Sequence, residues 1–224
     1  MPTAPSEIAP GVHRFERVDD SGWSFNMFVV RGLEPDGVVV HAPTFVDDAT
    51  FDAIEAIGPV RALLCPNHFH WLAVRRFRER FPEARVVADA RAVPRLTRKL
   101  GFAPEAATWP AWRSPAGLKN GEGWLSLPSP DGPTWIACDA FFNIERPVRG
   151  AIGAMLRWSK TVPHLCIGRT FHWLAISDRA AYRSWLLARL DEERPHRLLV
   201  SHGEPIEGAA LADRLRAVVA DRLA

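Results

Sequence analysis

Residues 63–77, LLCPNHFHWLAVRRF, place His68 and His70 two apart directly after a short apolar run. Imidazoles at i and i+2 of an extended segment point to the same side, so this pair could grip one metal ion. Two ligands are not a site. A zinc-type ion takes about four donors, imidazole and carboxylate among them, with one position left to water where the ion is catalytic. Two further apolar strands end in suitable donors: TWIAC runs into Asp139, and RLLVS into His202. If the three strands finish at one sheet edge, His68, His70, Asp139 and His202 form a four-donor set. Each residue also has an ordinary explanation. An H-x-H pair after a strand can be incidental, Asp139 can cap a turn, and His202 before Gly203 can be a hydrogen-bonded turn histidine.

The elements that must position these residues alternate along the chain. Strands are predicted around Val12–Arg17 and in SFNMFVVRG and GVVVHA, each apolar or alternating and punctuated by Gly, Pro or Asp. DDATFDAIEAIG has Phe51, Ile54 and Ile57 at helical spacing, an acidic start and Gly58 at its close. VRALLC is a buried-strand candidate stopped by Pro66, and LAVRRFRERF is a helix ended by Pro82. ARVVAD and ARAVPRLTRKLG repeat the strand–helix pattern. Between Phe102 and Gly121 no clean period exists, and Pro, Trp and Ala predict a long surface segment. Strands resume at GWLSLP and PTWIACD. Helices are predicted at VRGAIGAMLRWSK and at SDRAAYRSWLLARLDEERP, the latter with Ser177 as N-cap and Pro195 as stop. HRLLVSHG is a last strand, and EGAALADRLRAVVADRLA a last helix.

In this order the elements resemble the metallo-β-lactamase fold superfamily. GVVVHAPT stands where that superfamily has a strand ending in an Asp-containing turn, and PNHFHWLA at its H-x-H-x-D-H motif. WIACDAFFN stands at its strand-plus-Asp motif, and LLVSHGEPI at its late Gly-His-Gly-like turn. The resemblance runs from roughly Ile8 to Ile206. It implies an α/β (α+β) fold, a four-layer αββα sandwich forming one domain over residues 1–224, with the site at the sheet edges.

The departures from that pattern bear on chemistry. Aligned on His68 and His70, the superfamily's Asp and next His fall on Leu72 and Ala73, which coordinate nothing. Its third-motif His has no counterpart, because no histidine occurs from Trp71 to Pro163. A two-metal centre is therefore not expected. The lost Asp is also the residue that helps hold the second metal and orient the attacking water. The remaining set, His68, His70, Asp139 and His202, is expected to hold one zinc or iron ion, or none and a polar ligand instead. His41 stands where the superfamily turn carries an Asp, and is expected beside the site as a hydrogen-bond donor. His172, in GRTFHWLAIS, lies in a segment able to fold over the pocket, while His164 is read as packed among aromatics. Glu204 and His172 are the candidates for a general base.

Composition narrows the field further. At 47% hydrophobic over 224 residues the chain can bury a full core without staples, so a metal would serve function rather than folding. A formal charge of +2 gives no footprint for nucleic acid, and RRFRER is explained by a solvated helix face. No signal peptide and no apolar run near the roughly 20 residues of a membrane span occur, so a cytoplasmic chain with no membrane partner is expected. Cys65, Cys138 and Cys166 are widely spaced in apolar surroundings and read as buried thiols. No G-x-S-x-G elbow, Walker A loop or G-x-G-x-x-G is present; NGEGWL fails the last at its third glycine. Nine tryptophans, several in loops, suit an apolar pocket or a core, and the stretch from Trp109 to Trp124 suggests self-association. Two functions stay open: a divergent mononuclear metal-dependent hydrolase, or a non-catalytic descendant binding a small molecule or a protein partner.

Overall fold

Strand-forming alternation begins at once. The computed structural model describes residues 5–224. β1 (Ser6–Ala9), β2 (Val12–Val18), β3 (Ser24–Arg31) and β4 (Val38–His41) make an antiparallel meander. The chain then winds through α1 (Asp48–Ile57), β5 (Val60–Cys65), α2 (Val74–Arg80), β6 (Arg85–Ala88), α3 (Val93–Leu100) and β7 (Glu105–Ala106), with β4 to β7 all parallel. Seven strands in the order β1 to β7 form the first sheet. Asp47 caps α1 by accepting from Thr50 N, and Gly101 closes α3 in the left-handed region, φ 83°.

The second sheet begins with β8 (Trp112–Arg113), β9 (Trp124–Leu127) and β10 (Thr134–Ala137). A hairpin of β11 (Phe142–Ile144) and β12 (His164–Cys166) follows, interrupted by α4 (Gly150–Trp158). Then come α5 (Arg169–Ala175), α6 (Arg179–Glu193), β13 (Arg197–Val200), β14 (Ile206–Glu207) and α7 (Leu211–Leu223). The second sheet runs β14-β13-β10-β9-β8, with β10 and β13 parallel.

Three of the hydrophobic cores make this a four-layer αββα sandwich. Period-2 alternation sends Val29, Val40, Leu63 and Val86 to one face of the first sheet, against Phe51, Phe77 and Leu96 of α1 to α3. Their neighbours Phe28, Val30, Val39, Leu64 and Val87 face Leu125, Ile136 and Leu199 of the second sheet. The outer face of that sheet, with Trp124, Trp135, Leu198 and Val200, packs on Tyr182, Leu186 and Leu215 of α6 and α7.

Three expectations need correction. Asp178, not Ser177, caps α6, its carboxylate accepting from Ala181 N. The segment 102–121 is not a surface excursion: β7 and β8 extend the edges of the two sheets. Trp109 and Asn120 are buried in it, and Trp124, which opens β9 just after it, is buried as well. That burial removes the exposed aromatic stretch on which self-association rested.

Candidate metal centre

Parallel strands end at the same edge, so the C-terminal ends of β5, β10 and β13 deliver their following residues to one place. The two sheets are tied together there. Asn26 donates through Nδ2 to Val200 O (2.8 Å) and Gly203 O (2.7 Å), and Asn26 N donates to Ser201 O (2.8 Å). Gly203 N donates to Ser24 Oγ at 2.8 Å. Gly203 itself has φ 107°, and a Cβ on it would meet Asn143 O at 2.0 Å, so only glycine permits the turn that presents His202.

Asp139 Oδ1 is the vertex of the site. It lies 3.4 Å from His70 Nε2 and 3.4 Å from His202 Nε2, while Asp139 Oδ2 accepts from Asn67 Nδ2 at 2.8 Å. The two imidazoles, with centroids 5.8 Å apart, flank the oxygen. His202 is fixed by Nδ1–H donating to Ser24 O at 2.8 Å and by Trp23 (4.6 Å) and Phe142 (5.7 Å, 10° between planes) on its ring. With Nδ1 so engaged, Nε2 is the ring nitrogen turned toward Asp139. Burial alone would raise the Asp139 carboxyl; the charge of His70 and hydrogen bonds from His202 and His70 outweigh it and hold the group far below the usual carboxylate range.

Each imidazole stands from Asp139 at the spacing of two ligands on one ion. Bonds of about 2.0–2.1 Å at a tetrahedral angle put neighbouring donors roughly 3.3–3.4 Å apart, which is the spacing of both imidazole nitrogens from Asp139 Oδ1. Cys138 is a donor that sequence reasoning set aside. Its Sγ, with His70 and Asp139, forms a set whose donor atoms all lie within 4.8 Å of one another; His202 is not part of that set. Burial keeps the thiol protonated, well above its usual range.

Other expected site residues stand elsewhere. The chain leaves extended conformation at Cys65 and runs through turns over His68–Ala73, so the same-side rule for i and i+2 does not apply and the H-x-H pair splits. His68 is buried against Phe69 (4.3 Å), lines neither cavity at the site and has no partner on Nε2. Burial, then the charge of Arg95, lowers its pKa to about 4. His41 ends β4 with both ring nitrogens buried and unpartnered, beside Phe28 at 5.9 Å, so it donates to nothing in the site. Burial, with a contribution from His70, pulls it down to about 3. Glu204 is held by Arg14 (3.0 Å) and Arg146 (2.8 Å) and lines neither cavity. His172 faces a different cleft, with Arg169 and Arg179, and is not poised as a base at Asp139.

Behind Asp139 sits a buried acid that the sequence did not flag. Glu122 Oε1 accepts from Ala140 N (2.7 Å) and Cys138 N (3.3 Å), and Oε2 from Asn67 Nδ2 (3.1 Å) and Asn120 Nδ2 (3.2 Å). Burial and then the Asp139 charge raise its pKa to about 8, against the hydrogen bonds from Ala140 N, Asn67 and Asn120. It pins the turn that carries Asp139. Its only sequence signal was an acid between two glycines in NGEGW.

Two cavities meet at Asp139, His202, Trp23 and Phe69. One, of about 280 Å³, is walled by Phe142, Met155, Leu156, Phe171 and Leu174 from β11, α4 and α5. The other, of about 420 Å³, adds His70, Arg17, Thr44 and Leu72.

This arrangement is that of the metallo-β-lactamase fold. A metallo-β-lactamase from Pontibacter korlensis superposes with a TM-score of 0.66 at 11% identity, covering 99% of this chain and 100% of that one. The metallo-β-lactamase FIM-1 from Pseudomonas aeruginosa, in its mono-zinc form, gives 0.63 at 15% identity over 100% and 97%. The metallo-β-lactamase DIM-1 gives 0.61 at 10% identity over 97% and 96%. No family model and no curated protein matches the chain. The chain therefore has the metallo-β-lactamase fold.

Proposed function

We propose that the chain is a divergent hydrolase of this fold that holds a single zinc or iron ion on His70, Asp139 and His202 and acts on a small molecule bearing an apolar group. The observation that carries the reading is the pair of 3.4 Å separations from Asp139 Oδ1 to two imidazole nitrogens, one of them anchored through Nδ1. An ion there would supply Lewis acidity, polarising a carbonyl or phosphoryl oxygen and making a bound water more acidic. The chain itself supplies placement. Ser24 O orients His202, Asn67 orients Asp139, and the apolar cavity keeps water from one side of the reacting group. A sealed apolar cavity of about 150 Å³ admits benzene, so 280 Å³ suits roughly a two-ring or eight-carbon group.

A second reading, a non-catalytic small-molecule binder, is favoured by the positions of the base candidates. Asp139 is the one carboxylate lining the two cavities at the site, and it is already spent on His70, His202 and Asn67. Elemental analysis of untagged protein, after zinc or iron supplementation and dialysis, separates the two. Near one ion per chain, lost in H70A and H202A together with esterase or phosphodiesterase turnover, supports the hydrolase. No retained ion, with those variants still folded, supports the binder.

A further inference from the structure

The described residues expose nine large hydrophobic side chains to a third or more of their area, and five of them sit on two short helices. Ile152 (40%), Met155 (46%) and Trp158 (70%) lie on α4, and Trp173 (55%) and Leu174 (58%) on α5. The two sets are continuous: the Trp158 and Trp173 rings are 5.6 Å apart, and Met155 and Leu174 both line the apolar cavity beside Asp139. Scattered apolar residues need no explanation, but a contiguous patch on elements already folded does.

Beside this patch the charge is mainly positive. A cleft of about 700 Å³ is bordered by Trp173, Lys160, Arg169, Arg179 and Arg222. Arg222 is occupied, pairing with Asp221 at 2.7 Å and donating to Lys160 O at 2.9 Å. Lys160, Arg169 and Arg179 form no ion pair among the described residues, whereas Arg14, Arg80, Arg85, Arg91 and Arg113 all do. Three cations without ion pairs thus border the exposed Trp173 indole.

We propose that the α4–α5 face docks on an anionic membrane surface, with Trp158 and Trp173 at headgroup depth and Lys160, Arg169 and Arg179 on lipid phosphates. Indoles are suited to that depth because one edge is polar and the ring is apolar, and long cationic side chains reach the phosphates while their stems cover apolar surface. A second copy of the chain is a poorer occupant: a two-fold interface through this face would bring the same three unpaired cations together. The docking is peripheral, since no helix among the described residues is long and apolar enough to cross a membrane. It also gives the apolar cavity a physical source of ligand, because Met155 and Leu174 belong to both surfaces. The proposal does not depend on metal chemistry and replaces the expectation of no membrane partner.

The test is flotation of the full chain with phosphatidylcholine vesicles, with and without phosphatidylglycerol, at low and high salt. Binding should require the anionic lipid and fall steeply as salt shortens the screening length from about 10 Å at 0.1 M to about 3 Å at 1 M. Each cation neutralised should weaken binding about fivefold, and K160E/R169E/R179E should abolish it. W158S/W173S should weaken it at every salt concentration. All of these positions are exposed, so thermal melts of the variants should match the parent. Absence of binding to anionic vesicles overturns the proposal, as does equal binding to neutral ones. A dimer by light scattering that W158S/W173S disperses, without vesicle binding, assigns the face to a second copy instead.

Discussion

The two sheets contribute to one site edge in opposite ways. From the second sheet, Asp139 and His202 arrive with their orientations set, one by Asn67 and the other by Ser24 O and two aromatic rings. From the first sheet, His41 and His68 arrive buried and without partners, and Leu72 and Ala73 have no donor atoms; His70 alone reaches Asp139. Side chains bound on both sides keep a geometry that an ion can use, whereas orphaned imidazoles have become packing. The chemistry of the edge therefore leans on the second sheet, with His70 as the bridge.

The contrast can be broken most severely at its vertex. Asp139→Asn removes the shared oxygen charge. Metal retention by elemental analysis should fall by more than the roughly 10–100-fold that outer partners carry, with the circular dichroism spectrum unchanged. Retained metal would move the centre elsewhere. Next in size is Asn67→Leu. Asn67 uses both amide hydrogens, on Glu122 and Asp139, and its oxygen accepts from Phe69 N. Losing them strands two buried acids, and urea unfolding should show a loss of about 3–5 kcal/mol.

The first sheet's imidazoles predict an acid limb. The unfolded chain takes up a proton on His41 near pH 6.5, and the folded chain not until about pH 3, so stability falls as pH drops through that window. By pH 4 the His41 share is about 3 kcal/mol, from the roughly 1.4 kcal/mol carried by each pKa unit. Melting temperatures of His41→Phe should fall less between pH 6.5 and 4 than those of the parent. An identical slope would deny that His41 is buried neutral. The smallest effect belongs to Leu72→Asp. Leu72 is 60% exposed, so stability should change by less than about 0.5 kcal/mol, and the metal content should stay the same because Ala73 still offers no donor. A second ion taken up by this variant would show that the first sheet's edge keeps its ligand geometry.

Much of this was legible along the chain. Alternating apolar residues specify strands whatever their neighbours, because period 2 places successive side chains on opposite faces. The order of strands and helices then narrows the fold, and Asp139 and His202 stand out as polar residues directly after apolar runs. The site's finer membership was less legible. The pairing of His68 with His70 assumed an extended segment, but Pro66 ends the strand and the turns that follow rotate the two rings apart. Cys138 and Glu122 carried no motif, and both matter only because the Asp139 turn packs on the loop around Asn120. The burial of Trp109 and Trp124 likewise came from β7 and β8 joining sheet edges, a non-local pairing that no local period announces.

The sequence by itself determined which segments could be strands and helices and where the apolar faces lie. Those properties follow from residue type and spacing along one chain. Tertiary structure alone decided which donors meet, which histidines are stranded, and that Lys160, Arg169 and Arg179 share a face with exposed indoles. These depend on distances between segments far apart in the chain, and such distances are set by packing rather than by any pattern within a segment.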